Sequence, residues 1–215
     1  MYNTVFWIII AILLADFVFG IILDWLNTLS WKKDVPPGLS DIYDVEKYRK
    51  SQQYFLTNLK FGWVTDVYSL FIMLVMLLFG GFAFVDRLAS AEGRPEIITS
   101  LFFFGILALG FDLLQTPFSL YHTFVIEEKF GFNKTTRKIW LTDKLKSWIL
   151  GAVIGGGLLV LVVLFYQLTG KNFWLYAWAI AVIFMVFFTM FYSDLIVPLF
   201  NKQTPLEEGE LRDKI

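Results

Sequence analysis

Cysteine is absent from the 215 residues, which removes disulfides, thiolate metal ligands and a cysteine nucleophile together. Histidine occurs once, as His122, so a tetrahedral zinc site here would have to take its other protein ligands from carboxylates, an unusual set for zinc. Charge of either sign is scarce. Lys and Arg number 18 against 19 Asp and Glu, and the net charge of −1 gives no global field that argues for nucleic acid. No internal repeat relates spans one and two to spans four and five, and paired repeats with broken helices are the usual mark of a transporter.

What remains is strongly apolar. A chain that is 57% hydrophobic, with 24 Phe and a mean hydropathy of +0.64, exceeds what a soluble domain tolerates and reads as an all-α, polytopic membrane protein in a lipid bilayer. About 20 apolar residues cross the roughly 30 Å hydrocarbon layer. Five runs qualify: Thr4 to Leu26, Phe61 to Val85, Ile97 to Gln115, Trp148 to Leu168 and Phe173 to Tyr192. The first is not a cleaved signal peptide, since Met1, Tyr2 and Asn3 supply no basic flank and Phe-Gly-Ile-Ile-Leu-Asp follows the apolar core. Ser40 can cap a helix that meets no Pro before Phe84, which predicts one helix of about 43 residues extending the second span into water.

Orientation follows from the basic residues. Six lie between spans one and two, six between three and four and three in the tail, against two and one in the remaining loops. This places the N-terminus outside and the long loops and tail in the cytoplasm. Asn133-Lys134-Thr135 matches a glycosylation acceptor, but on that side it would not be used. Trp31, Trp63, Trp148 and Trp174 read as interfacial anchors, and Trp140 with Ile139 as a short interfacial helix starting near Thr135 or Thr136. Gly151 and Gly155, extended by Gly156 and Gly157, read as a small-residue packing face.

The most informative stretch runs from Thr116 to Lys146. Composition alone reads it as a loop between membrane helices. It holds His122, the acidic pair Glu127 and Glu128, and a turn at Gly131, Phe132, Asn133 and Lys134. Pro198 is expected to close the last span. Residues 201–215 then read as the start of a cytoplasmic segment, whose helix from Glu207 stops in its second turn, as a truncated product would.

Tyr48-Arg-Lys-Ser51-Gln-Gln-Tyr54, Pro117-Phe118-Ser-Leu-Tyr121 through Glu127-Glu-Lys-Phe130-Gly-Phe-Asn133-Lys134-Thr135-Thr, Asp143-Lys-Leu-Lys146 and Pro198-Leu-Phe200-Asn201-Lys202 with Gly209-Glu-Leu-Arg212 occur in that order. Together they resemble the N-terminal region of the type 1 CAAX prenyl proteases, which are integral-membrane zinc metalloendopeptidases. The resemblance implies five membrane helices followed by a catalytic part beyond Ile215. It implies zinc in the full-length parent, and prenylated or membrane proteins as that parent's substrates. The family's HExxH cannot be placed on this chain: Thr123, not Glu, follows His122, and no second His exists. The chain alone is therefore expected to hydrolyse nothing, with no catalytic and no metal-binding residue.

The candidate polar residues are Asp16, Asp66, Ser69, Asp112, Gln115, His122, Glu127, Glu128, Asn133 and Lys134. An acid inside an apolar span costs at least about 2.5 kcal/mol. On a helical wheel Asp16, Gly20 and Asn27 share a face, as do Gly62, Asp66, Ser69, Met73, Met76 and Gly80, and Gly105, Ala108, Asp112 and Thr116. These stripes are expected to face a shared, water-accessible interior, by resemblance a chamber wall; ordinary helix packing with protonated Asp is the alternative. His122 with Glu127 and Glu128 could be a metal site, but spacings of five and six do not stack on an α-helix face, and His122 reads as a hydrogen-bonding partner. A free-standing membrane scaffold, or a transporter-like protein using the Asp residues, would carry the same composition.

Overall fold

The structure is a computed structural model that describes residues 3–29, 44–90, 93–202, 208, 209 and 212. Helices α1 (Thr4–Leu29), α2 (Val45–Leu78), α3 (Gly81–Ala89) and α4 (Glu96–Tyr121) come first. A π-turn (His122–Glu127) leads into α5 (Glu128–Phe130), then α6 (Arg137–Thr169) and, through a 3-10 turn (Gly170–Asn172), α7 (Phe173–Phe191). A second π-turn (Tyr192–Ile196) precedes α8 (Val197–Phe200). Among the described residues there is no strand.

Four helical stretches are long and apolar enough to cross a membrane, and the last, Arg137–Phe200, contains two spans. Gly170, at φ 52 and ψ −115, breaks it. Phe165 and Tyr176 (176 − 165 = 11 positions apart) would sit about 16 Å apart on a continuing helix. Their rings stack at 5.4 Å, so the chain reverses there. Side chains such as Ile149, Val153 and Ile183 are about two-thirds exposed, an apolar surface of the kind that a membrane or a protein partner covers.

Several boundaries differ from the sequence expectation. Helix α2 is capped by Asp44, whose carboxylate accepts from the Glu46 and Lys47 amides at 2.8 and 3.3 Å; Ser40 lies outside the described residues. The helix ends at Leu78 rather than near Phe84, because Gly80 turns left-handed (φ 71) and the backbone turns sharply there. A Cβ on Gly81 would stand 2.9 Å from Met76 Cα, so glycine is required there. The 34 residues of α2 still span about 51 Å, so the extension beyond the bilayer survives in shortened form. Gly80 is thereby removed from the helical stripe assigned to it.

The stretch after Gln115 is helix through Phe130, not loop. Pro117 lacks one amide donor, to Leu113, and the helix continues past it. Gly131 (φ 79) then stops it, with the Gly131 and Phe132 amides donating to the Glu128 and Glu127 carbonyls at 3.1 and 2.9 Å. Thr136 caps α6, its hydroxyl accepting from the Ile139 amide, but the helix runs on as one 33-residue piece rather than a short interfacial one. Pro198 does not close α7; it sits in the first turn of α8, which ends at Phe200. Of the tail helix expected from Glu207, only Glu208, Gly209 and Arg212 are described.

The chain divides into two compact units. The first comprises Met1–Glu92 with Ile106–Thr135, the second Gly93–Gly105 with Thr136–Ile215. In the second, Arg94 lies over the Phe102 ring, Gln167 donates to Glu96 at 2.9 Å, and Gly156 admits Leu101 within 3.6 Å of its missing Cβ. Gly151, Gly155 and Gly157 meet nothing within 4 Å, so helix contact falls on one glycine of the four.

Candidate functional site

In the first unit, side chains of α2 between Tyr54 and Ser69 join the end of α4 and the π-turn that follows it. Aromatic packing comes first: Phe61 stacks on Tyr121 at 5.4 Å and touches Phe118 and His122, while Tyr68 packs on Phe118 at 4.7 Å. Hydrogen bonds then fix the register. Gln115 Nε2 donates to Ser69 Oγ at 2.8 Å, and His122 Nε2 lies 2.8 Å from Asn58 Oδ1. The Tyr54 hydroxyl donates to the Glu127 carboxylate, and Asn58 Nδ2 donates back to the Tyr54 carbonyl at 3.1 Å.

The π-turn makes this cluster possible. On an α-helix His122 and Glu127 diverge, but an i→i+5 turn places residues five apart above one another. His122 Nε2 stands 3.7 Å from Glu127 Oε1, which corrects the expectation that this spacing cannot stack. Glu127 is the more enclosed partner, 19% exposed against 39% for His122. Tyr54, in the extension of α2, packs edge-on against Phe130 and Phe132 at 5.2 and 4.9 Å. Its bond to Glu127, followed by burial, raises the phenol above its ordinary pKa.

Beside the network lies an open cavity of about 400 Å³, lined by Phe61, Thr65, Asp66, Ser69, Gln115, Phe118, Ser119 and His122. Four residues named from sequence, Asp66, Ser69, Gln115 and His122, therefore meet in one place. The other intramembrane acids do not join them: Asp16 is exposed on α1, and Asp112, half-buried on α4, is outside the lining. Glu127 joins His122 through the π-turn, whereas Glu128 points away and accepts from Asn133 Nδ2 at 2.9 Å. Asn133 also accepts from the Thr135 amide at 2.7 Å, locking the turn, and Lys134 is exposed.

Asn58, Thr65 and Ser119 are not among the residues singled out from sequence, and Tyr54 enters there only within a resemblance motif. A signal existed for two of them: Asn58 follows Tyr54 by four, and Ser119 lies between Gln115 and His122 on one helical face. Trp63, expected as an interfacial anchor, instead donates its indole N–H to Asp24 of α1 at 3.2 Å. Among the described residues no group of three or more metal-ligating side chains converges. Zinc therefore does not fit this site, and its polar groups can hold water or the amides and hydroxyls of a bound chain.

Residues 25–202 match the family model described as CAAX prenyl protease N-terminal, five membrane helices. The CAAX prenyl protease 1 homolog of Homo sapiens is 36% identical over 188 residues, covering 84% of this chain and 40% of that protein. CAAX prenyl protease 1 of Saccharomyces cerevisiae is 34% identical over 191 residues, covering 84% and 42%. The crystal structure of S. mikatae Ste24p superposes with a TM-score of 0.89 at 35% identity, over 99% of this chain and 51% of that one. The chain thus spans about half the length, or less, of the relatives it matches. By the family model and by these relatives, it belongs to the CAAX prenyl protease family, in its N-terminal, five-helix membrane region.

Proposed function

We propose that this chain is the membrane-embedded part of a zinc metalloendopeptidase of the CAAX prenyl protease type, and that it walls the chamber without supplying the chemistry. The observation that carries the reading is the family match over residues 25–202 in a chain with one histidine and no cysteine. Zinc and the water-activating carboxylate then belong to the part of the parent that follows. The α2/α4 cavity supports the wall role, because polar side chains converge there on two otherwise apolar helices. The parent's substrates are prenylated C-terminal CAAX proteins, or other membrane proteins where prenylation is absent.

Two measurements test this. Purified chain, with or without added zinc, is expected to cleave no prenylated CAAX peptide; turnover abolished by His122→Ala would overturn the non-catalytic assignment. Cysteines placed at Asp66 and Ser69 are expected to react with a small water-soluble thiol reagent, while one at lipid-facing Phe71 does not. Equal reaction at all three would sink the wall. The basic-residue count further supports long loops on the cytoplasmic side: a cysteine at Lys134 should label only after the membrane is opened, one at Ser90 in intact cells.

A further inference from the structure

The first twelve residues of α6, Arg137 to Trp148, hold four basic side chains and one acid, a net +3 by 4 − 1. Two of these charges are spent within the unit. Lys146 pairs with Asp143 at 3.2 Å, donates to the Leu199 carbonyl at 3.1 Å and lies over the Phe200 ring. The others are arranged differently. Arg137 and Lys138 are exposed, and Lys144 is held over two indoles, 5.2 Å from the Trp140 centroid and 5.7 Å from that of Trp148. At 100° per residue, Trp140, Lys144, Arg137, Trp148 and Lys138 fall within an arc of about 160°. Lys146 and Asp143 lie outside it.

Within that arc the helix also exposes Leu141 and Leu145, with Ile149 at its edge, at 53%, 46% and 68%. Cations, indoles and bare aliphatic side chains thus share one face, and the face continues without a break into the apolar span. Arg137 and Lys138 come first along the helix and the apolar span last, the order that a bilayer surface presents from phosphate to acyl chain.

We infer that this face of α6 binds the headgroup of an anionic glycerophospholipid, with Arg137 and Lys138 on the phosphate and Trp140 at the glycerol level, while Trp148 lies about 12 Å further along the helix, towards the acyl chains. Charge complementarity selects the anion, and continuity with the span selects a lipid as its source. Free phosphate would leave Leu141, Leu145 and Ile149 uncovered.

The test is lipid retention by the whole chain reconstituted in phosphatidylcholine bilayers, read with spin-labelled phosphatidylserine against spin-labelled phosphatidylcholine. Phosphatidylserine is expected to be retained roughly fivefold to tenfold better, and the preference should shrink as salt rises. The double variant R137Q/K138Q should bring the two lipids near parity. The charge-retaining pair R137K/K138R, and Lys171→Gln on the 3-10 turn, should keep the preference. Equal retention by the unaltered chain, a preference untouched in R137Q/K138Q, or one lost in R137K/K138R would overturn the inference and leave the face to a protein partner. Displacement of the labelled phosphatidylserine by inorganic phosphate would overturn the choice of a lipid.

Discussion

Among the described residues the backbone leaves regular α-helix twice by the same i→i+5 deviation, at His122–Glu127 and at Tyr192–Ile196, and the causes differ. Pro198 has no amide proton, so it cannot bond the carbonyl four residues back, which is Asp194, inside the second turn. That deviation is local. The first turn has no such proline: Pro117 lies upstream and frees the Leu113 carbonyl, outside the turn. Side chains of α2 hold it instead, through His122 to Asn58 and Tyr54 to Glu127, with Ile126 and Phe130 buried beside them. A helix deviation held from another helix is a tertiary feature, and π-turns often mark sites. The polar cavity adjoins the first turn.

The comparison is most easily broken at Tyr54. Tyr54→Ala removes the hydroxyl on Glu127 and the ring between Phe130 and Phe132, and should cost about 3 kcal/mol. Tyr54→Phe keeps the ring and should cost about 1.5 kcal/mol, since the lost bond is to a carboxylate. Thermal unfolding in one detergent measures both. The same contact has a pH signature. A raised folded pKa means its contribution is fully present below the phenol's ordinary value and lost as pH rises through the folded one. Stability of the unaltered chain should therefore fall in strongly alkaline buffer more than that of Tyr54→Phe.

Next in size is Gly131→Ala. A Cβ there would meet only Lys50 Nζ at 4.0 Å, so space is not the obstacle. The left-handed backbone is, at about 1 to 2 kcal/mol for an L side chain. A loss well under 0.5 kcal/mol, on the order of ordinary surface noise, would mean the end of the first turn is not fixed by Gly131.

The two turns also show what a sequence discloses. The apolar runs, the turn at Gly131 and a helix start near Thr135 or Thr136 are local features, written in composition and in single residues, and each was legible, though the helix that Gly131 ends was read as loop. The His122–Glu127 pairing was not, because a wheel drawn at 100° per residue assumes the α-helix that the π-turn abandons. The break at Gly80 was hidden by the surrounding apolar residues, since glycine within a span more often packs than bends. Asp66, Ser69, Gln115 and His122 were found as polar residues on apolar helices. That they share a cavity while Asp16 and Asp112 stay apart depends on how α2 and α4 meet, which no single-helix pattern contains.

The smallest effect is expected at Pro198, and it separates the two turns most cleanly. Pro198→Ala restores an amide that can donate to the Asp194 carbonyl, a gain of about 1 kcal/mol for one backbone bond. Losing proline frees the unfolded chain, a cost of about 0.4 to 1 kcal/mol. The two nearly cancel, so stability should change by less than about 1 kcal/mol in either direction. The backbone should nonetheless respond: carbon chemical shifts at 192–196 are expected to move to ordinary α values, while those at 122–127 stay. Pro117→Ala should leave the first turn in place, because its restored amide reaches only Leu113. A second turn that persists in Pro198→Ala, or a first turn that relaxes in Pro117→Ala, would show that the assignment of one local and one long-range cause is the wrong way round.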